Sequence, residues 1–230
     1  MEPFSLKWPK ANRNPHMSFC ADYKAAHYLA VEKMREVDVE HMKRSGNRSI
    51  FDANGAVPGS LYEQYLAASF DELGIVFDFK KHLACVDFNL VDHEALSQVK
   101  VTKGKGYTFG KTGKNNRKDA TDAAEGTILQ RFSDFPDAKN LYVCLWDYED
   151  DVVHIYRLAK RKNGKVIIDD FLRDQANGFK PESKVNVELT YTTSVLNEIY
   201  RFSKSLDGLE EAERYLKKSE LAPMLSQKSP

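Results

Sequence analysis

The fold of this chain is decided by two apolar runs joined by a polar turn, in the stretch LACVDFNLVDHEALSQVKV, residues 83–101. The composition of Leu83–Leu90 and Ala95–Val101, rich in apolar and β-branched residues, predicts two strands. A third apolar run near residues 75–79 comes just before them and has the same character. The chain is therefore expected to lay down three strands in succession here.

The register of the second and third strands decides which polar residues meet. If Asp92 and His93 are the central residues of the turn, opposed residues have numbers that sum to 185. Asp87 then lies opposite Gln98, and Lys100 points to the same side as Gln98 because side chains alternate along a strand. A slip of one residue would separate Asp87 from the other two.

The remaining pattern predicts an α/β fold with a central mixed β-sheet flanked by helices. A single domain over residues 18–220 is expected between an N-terminal arm, 1–17, and a C-terminal tail, 221–230. The predicted elements are helices near 18–45, 60–73 and 119–132, a loop at 102–118, a buried strand at 141–146, a hairpin near 152–171 around Asn163-Gly164, a strand at 185–191, and closing helices at 194–204 and 207–219.

Composition excludes several classes of protein. No stretch approaches the roughly 20 apolar residues of a membrane-spanning helix, and the N-terminus lacks the apolar core of a signal peptide. The three cysteines are far apart, which argues against a disulfide scaffold or a structural zinc site. The expectation is a cytoplasmic protein with no membrane partner.

The polar cluster has the chemistry of a magnesium site. A carboxylate and an amide oxygen, here Asp87 and Gln98, are the hard ligands that Mg²⁺ prefers. A lysine beside the ion, here Lys100, can orient a water or stabilise charge on a phosphate. Glu63 is a candidate second carboxylate, although Ser60 three residues earlier makes a helix capping box an equal alternative for it.

These residues resemble the PD-(D/E)xK nuclease superfamily, which has an Asp on one strand and an acid-x-Lys on the next. The order of elements over residues 60–146 is also similar to the superfamily's restriction-endonuclease-like core. Val86 stands where the superfamily has Pro, and Gln98 replaces the acid, as in the Gln-x-Lys forms among restriction enzymes.

The resemblance implies a Mg²⁺-dependent type II restriction endonuclease that cuts double-stranded DNA as a homodimer. Asp87, Gln98 and Glu63 would be the metal ligands, and Lys100 would be the catalytic lysine. Asp78-Phe-Lys80 is a rival acid-x-Lys, but the acid nearest before it, Asp71, falls on a predicted helix.

The formal net charge is zero, with 34 basic against 34 acidic residues, yet the charges are segregated. Two stretches, 100–118 and 157–165, hold basic residues and no acid. The first is rich in glycine and suits phosphate contacts, and the second brackets a hairpin that could enter a major groove. The predicted DNA-binding residues are Lys103, Lys105, Tyr107, Lys111, Lys114, Arg117 and Lys118, then Arg157, Lys160, Arg161, Lys162 and Lys165.

Three alternatives stay open at this point. The chain could be a repair or branch-specific nuclease of the same superfamily, or a nucleic-acid-binding module without catalysis. The basic stretches could also be ordinary solvated faces, since lysines protect exposed sheet edges from aggregation.

Overall fold

The computed structural model describes residues 15–52, 56–80, 83–102, 106–111, 117–169, 178–183, 186–192 and 198–203. The chain divides into two compact units. The helical unit comprises residues 1–75 and 202–230, and the sheet unit comprises residues 76–201. The predicted single domain over 18–220 stays a prediction. None of the helices in the described ranges is both long and apolar enough to cross a membrane.

Helix α1 (Pro15–Ser45) begins three residues earlier than predicted. Proline suits the first turn of a helix because its missing N–H would have no partner there. The predicted arm is therefore shorter than 1–17, and residues 1–14 lie outside the described residues. The helix ends at Gly46, whose φ of 69° is left-handed, and Asn47 N–H donates to Met42 C=O at 2.9 Å, closing a Schellman motif.

Helix α2 (Ala56–Glu72) also begins earlier than predicted. Ser60 lies inside the helix, where its hydroxyl accepts from the side chain of Gln64 at 3.4 Å. The capping-box interpretation of Ser60 and Glu63 is therefore wrong. The predicted end at Gly74 is confirmed, since its φ is 68° and Ile75 N–H donates to Phe70 C=O at 2.9 Å.

The sheet unit is built on a mixed sheet in the order β1-β2-β3-β5-β6-β10, with β7 paired to β6. A small second sheet has the order β4-β9-β8. The strands are β1 (Phe77–Phe79), β2 (Phe88–Leu90), β3 (Ala95–Thr102), β4 (Gly106–Lys111), β5 (Asn140–Asp147), β6 (Val152–Lys162), β7 (Lys165–Ile168), β8 (Gly178–Ser183), β9 (Asn186–Thr192) and β10 (Glu198–Ser203).

The centre of the sheet is a parallel pair, β3 and β5, joined by a connection that contains β4 and helix α3 (Arg117–Asp134). All eight residues of β5 are buried, as its continuous apolar run predicts. One face of the pair packs against a stripe of α3, and this core contains Ala120, Ala124, Ile128 and Phe132 from the helix and Leu141, Val143 and Leu145 from β5. The predicted mixed α/β class is confirmed.

Three local predictions are wrong. The predicted loop at 102–118 contains β4, and the predicted helix at 194–204 contains β10 instead. The predicted strand at 83–90 is a strand only over its last three residues, because Cys85 adopts a left-handed φ of 69°. The predicted closing helix at 207–219 and the tail lie outside the described residues.

The hairpin predicted over 152–171 is confirmed over 152–168, and residues 170 and 171 lie outside the described residues. Strands β6 and β7 pair antiparallel and are joined by Asn163 and Gly164, with φ values of 51° and 74°. Positive φ at both central residues is typical of a type I′ turn, whose twist matches that of the strands.

Candidate functional site

The predicted register of the β2–β3 pair is confirmed over Phe88–Leu90 and Ala95–Ser97. In the antiparallel pair β2–β3, Phe88 lies opposite Ser97 and Leu90 lies opposite Ala95, so paired numbers sum to 185. The connection differs from the assumed two-residue turn: it is a 3₁₀ turn over Val91–His93 followed by Glu94 in the left-handed conformation. Both connections give the same register because they are centred on the same two residues.

Asp87 is held by hydrogen bonds to both neighbouring strands. It lies in a bend just before β2. Its carbonyl accepts from Lys80 N–H at 2.7 Å, and its own N–H donates to Ser97 C=O at 2.9 Å. Its carboxylate Oδ2 accepts from Val99 N–H at 2.7 Å. The side chain thus continues the strand pairing where the backbone of β2 has ended, and its position is fixed.

Lys100 lies close enough to Asp87 to affect its ionisation. Burial raises the pKa of Asp87 above its ordinary value, while the Val99 hydrogen bond and the positive charge of Lys100 act in the opposite direction. Asp87 is therefore a largely desolvated carboxylate beside a cation. Groups of this kind are enriched at functional sites, although structural ion pairs also produce them.

Gln98 lies on β3, two residues before Lys100, and so shares its face of the strand. The β2–β3 pairing ends at Phe88 and Ser97 and does not extend to Asp87 and Gln98, since the Asp87 N–H donates to Ser97 C=O instead. Only 4% of its surface is exposed. The Gln98 amide oxygen is a suitable ligand for a hard cation. Because Gln98 is buried, it is not a solvated strand residue.

Glu63 is placed on α2, in the helical unit, and is half-buried. Its predicted role as a metal ligand stays a prediction. In the described ranges, no three His, Cys, Asp or Glu side chains are grouped so that they could hold a metal ion. The sheet unit supplies one carboxylate and one amide oxygen at the predicted position.

A register in which paired numbers sum to 185 places Cys85 opposite Lys100, but sequence reasoning missed Arg131 as a neighbour of Cys85. Burial raises the pKa of the Cys85 thiol to about 12, against the opposing effect of the Lys100 charge, with smaller effects from Asp87 and Arg131. Arg131 comes from α3, where its guanidinium pairs with Asp134 at 3.0 Å. The position of Arg131, three residues after the buried Ile128, could have indicated this contact, because it places the arginine next to the apolar stripe of α3.

The rival pair on β1 forms a different arrangement. Asp78 is exposed, forms an ion pair with Lys80 at 3.8 Å, and accepts from the side chain of Asn89 at 3.2 Å. Asp71, the acid before it, lies on α2 as expected. These contacts describe an exposed cross-strand network rather than a desolvated carboxylate beside a lysine.

The first basic stretch is described only in part. Lys103, Lys105 and Lys114 lie outside the described residues. Tyr107 and Lys111 belong to β4, where their backbones pair with Tyr191 and Glu188 of β9. Arg117 and Lys118 form the first turn of α3, and Lys118 is exposed. Their roles in DNA binding stay predictions.

The second basic stretch separates into two kinds of residue. Arg157 forms an ion pair with Asp169 at 3.3 Å, with both side chains less than one fifth exposed. The Arg161 guanidinium donates to the carbonyls of Phe132 and Pro136 and stacks over the Phe132 ring at 5.5 Å. The contacts of the two arginines thus indicate structural roles, which leaves the three lysines as the available cations.

No protein-family model matches the chain, no curated protein matches it significantly, and no solved structure does.

Proposed function

We propose that this protein is a Mg²⁺-dependent endonuclease that hydrolyses phosphodiester bonds in double-stranded DNA, of the type II restriction kind. The observation that carries the proposal is the Asp87 carboxylate beside β3, which accepts a hydrogen bond from Val99 N–H and lies close enough to Lys100 for that charge to act on its pKa. A restriction-endonuclease-like core, a homodimer and a cytoplasmic location belong to the same proposal.

The order of elements in the sheet unit supports this proposal. Three successive strands β1, β2 and β3 are followed by a helix and then by β5, which lies parallel to β3. This is the order that the resemblance implies for the core, with β4 as an insertion. The candidate residues fall on β3 and just before β2, at the centre of that arrangement.

The residues present fit a loosely held Mg²⁺ ion. Mg²⁺ keeps several waters and is usually bound through one or two carboxylates together with substrate phosphates. Asp87 Oδ1 and the Gln98 amide oxygen would hold the ion, together with the substrate phosphate. When bound, the ion would stabilise negative charge on the phosphate and lower the pKa of an attacking water.

The chain's own residues would position the reaction. The Val99 N–H fixes one oxygen of Asp87 and leaves the carboxylate in a single orientation. Lys100 would hold the attacking water or the charge that develops on the phosphate. Hydrolysis adds water across one P–O bond, giving a 5′-phosphate and a 3′-hydroxyl end.

The test is cleavage of supercoiled plasmid with Mg²⁺ by the wild type, Lys100→Ala and Asp87→Asn. Loss of each group is expected to reduce the rate by at least the factor of about 10²–10³ that single electrostatic groups contribute. Asp78→Asn is the matched control, because it removes an exposed carboxylate from the neighbouring strand. Normal cutting by both site variants would show that the proposed site is wrong.

The products distinguish the alternatives. A discrete set of fragments indicates site-specific restriction, whereas cutting at branches or lesions indicates a repair or branch-specific nuclease. A protein that binds DNA in EDTA and cuts nothing with Mg²⁺ or Mn²⁺ would be a binding module. The replacement of the superfamily's acid by buried Gln98 is the observation that keeps this last alternative worth testing.

A further inference from the structure

The β6–β7 hairpin has two chemically different faces. Its register pairs Lys162 with Lys165 and Lys160 with Ile167, and these pairs alternate with Arg161–Val166. Since paired residues share a face and successive residues alternate, the three lysines and Ile167 lie on one face. We call this the lysine face.

The opposite face of the hairpin is anchored to the core. Arg161 binds carbonyls of Phe132, at the end of α3, and Pro136, and Val166 packs against the hydrophobic core. Arg161 N–H also donates to Lys139 C=O at 2.7 Å. These contacts hold the hairpin rigidly, and they turn the lysine face to solvent.

The lysine face is electrostatically unfavourable on its own. Like charges directly opposite each other on paired strands destabilise a hairpin, and Lys162 and Lys165 are such a pair. The side chains of these two lysines and of Lys160 form no hydrogen bond or ion pair with the described residues. Lys162 and Lys165 are exposed, as is the turn between them. An anionic ligand would relieve this repulsion.

We propose that the lysine face binds the phosphate backbone of a nucleic acid without reading its sequence. Lysine is a compact point charge that suits phosphate, whereas base reading in a groove usually relies on bidentate Arg, Asn or Gln. Both arginines of the hairpin are engaged within the chain. The hairpin therefore serves as a backbone anchor rather than as a groove reader. This inference rests on the proposed function for its ligand, DNA.

The anchor lies far from the candidate site along the sheet. Lys100 is level with Leu145 of β5, which pairs with His154 of β6. Lys162 is eight residues further along β6, on the order of 25 Å at about 3.3 Å per residue. Lys100 lies on the face of the sheet that packs against α3, because it pairs with Leu145 of that core, whereas the lysine face is the opposite face of the hairpin.

The experiment measures binding of a fluorescent duplex of about 30 base pairs in EDTA, over a series of salt concentrations from about 50 to 300 mM. The variant Lys160→Gln/Lys162→Gln/Lys165→Gln is expected to reduce the slope of log affinity against log salt by about 0.9 per lysine, or up to about 2.7. The reduction should be equal for two unrelated sequences, because phosphate contacts carry no base information.

The control variant Lys33→Gln/Lys43→Gln/Lys139→Gln makes the same change in net charge at three ion-paired lysines, of which Lys43 and Lys139 are exposed and Lys33 is half-buried. It should leave the slope unchanged. Equal slopes for the two triple variants would overturn the proposal, as would a wild type that binds no DNA. A normal thermal melting curve checks that the hairpin variant is folded.

Two further outcomes separate this inference from others. If the hairpin variant binds duplex normally but loses binding to phosphatidylserine vesicles, the face is a membrane contact and the proposal falls. If the slope changes as expected but plasmid is never cut, the anchor stands and the proposed nuclease activity fails.

Discussion

Replacing Arg161 with alanine is expected to destabilise the protein, although sequence alone places this residue among the DNA contacts. Its guanidinium donates to two carbonyls, one of which, at Phe132, is among the last four of α3 and has no partner within the helix. The positive charge also lies at the negative end of the helix dipole.

The magnitude follows from these contacts. Two hydrogen bonds from a charged donor contribute about 1.5 kcal/mol each at the lower end of their range. The stacking of Arg161 on Phe132 adds about 0.5 kcal/mol for a partly exposed site. We therefore expect Arg161→Ala to lower the free energy of unfolding by about 3.5 kcal/mol.

Urea denaturation followed by circular dichroism measures this change, with Lys162→Ala as the neighbouring control. Lys162 is exposed and makes no described contact, so its replacement should change stability by less than about 0.5 kcal/mol. If Arg161→Ala is as stable as the wild type but binds DNA poorly, the structural role is refuted and the DNA contact is restored.

Three further predictions concern stability. Burial raises the pKa of Asp87, so the native state binds more protons than the unfolded chain between the ordinary pKa of 3.8 and the raised one, and stability falls as the pH rises through this interval. Asp87→Asn should not show this decline when urea midpoints are measured at acidic and neutral pH. A decline of equal size in both proteins would contradict the prediction. Tyr62→Phe removes a hydroxyl that lies 2.6 Å from His27 Nδ1 in the buried helical core, and it should lower the free energy of unfolding by about 1–3 kcal/mol. A calorimetric melting temperature unchanged by this substitution would disprove the role of that hydrogen bond. Gly46→Ala and Gly126→Ala both place a methyl group in open space. Gly46→Ala should destabilise the protein by about 1 kcal/mol because the φ of Gly46 is 69°, whereas Gly126→Ala, inside α3, should stabilise it by a similar amount. Equal effects of the two variants in urea denaturation would count against this reasoning.

Local chemistry predicted the parts of the fold that depend on it. Gly74 ends α2 and Asn163-Gly164 turns the hairpin because both sites require a positive φ. The β2–β3 register follows from the position of the polar turn between two apolar runs. The uniform apolar character of β5 predicted its central place in the sheet.

Long-range pairing accounts for the errors. The segment over 198–203 has a spacing that suits a helix, but it adds to the sheet as β10, because pairing with β6 outweighs local propensity. Likewise β4 pairs with β9, which lies some eighty residues later in the chain, and the local sequence pattern does not predict this partner. Asp147, the last residue of β5, is buried, and its carboxylate accepts from Glu149 N–H at 3.2 Å.

The candidate site was predictable where it depends on strand register and not where it depends on helix orientation. The β2–β3 register, from Phe88–Ser97 to Leu90–Ala95, could be found by counting residues from the turn. Arg131 is contributed by α3, and its approach to Cys85 depends on how the helix packs on the sheet. Arg161 could not be separated from the lysines around it, because only tertiary contacts distinguish them.

The hydrogen bond from Val99 N–H to Asp87 Oδ2 gives the site its own spectroscopic reporter. The chemical shift of an amide proton follows the strength of the bond it donates, and a carboxylate is a stronger acceptor than a carboxylic acid. Protonation of Asp87, or a cation bound to it, should therefore move the Val99 amide signal. Nuclear magnetic resonance can thus follow the titration of one carboxylate among 34 acidic residues, without any DNA cleavage taking place.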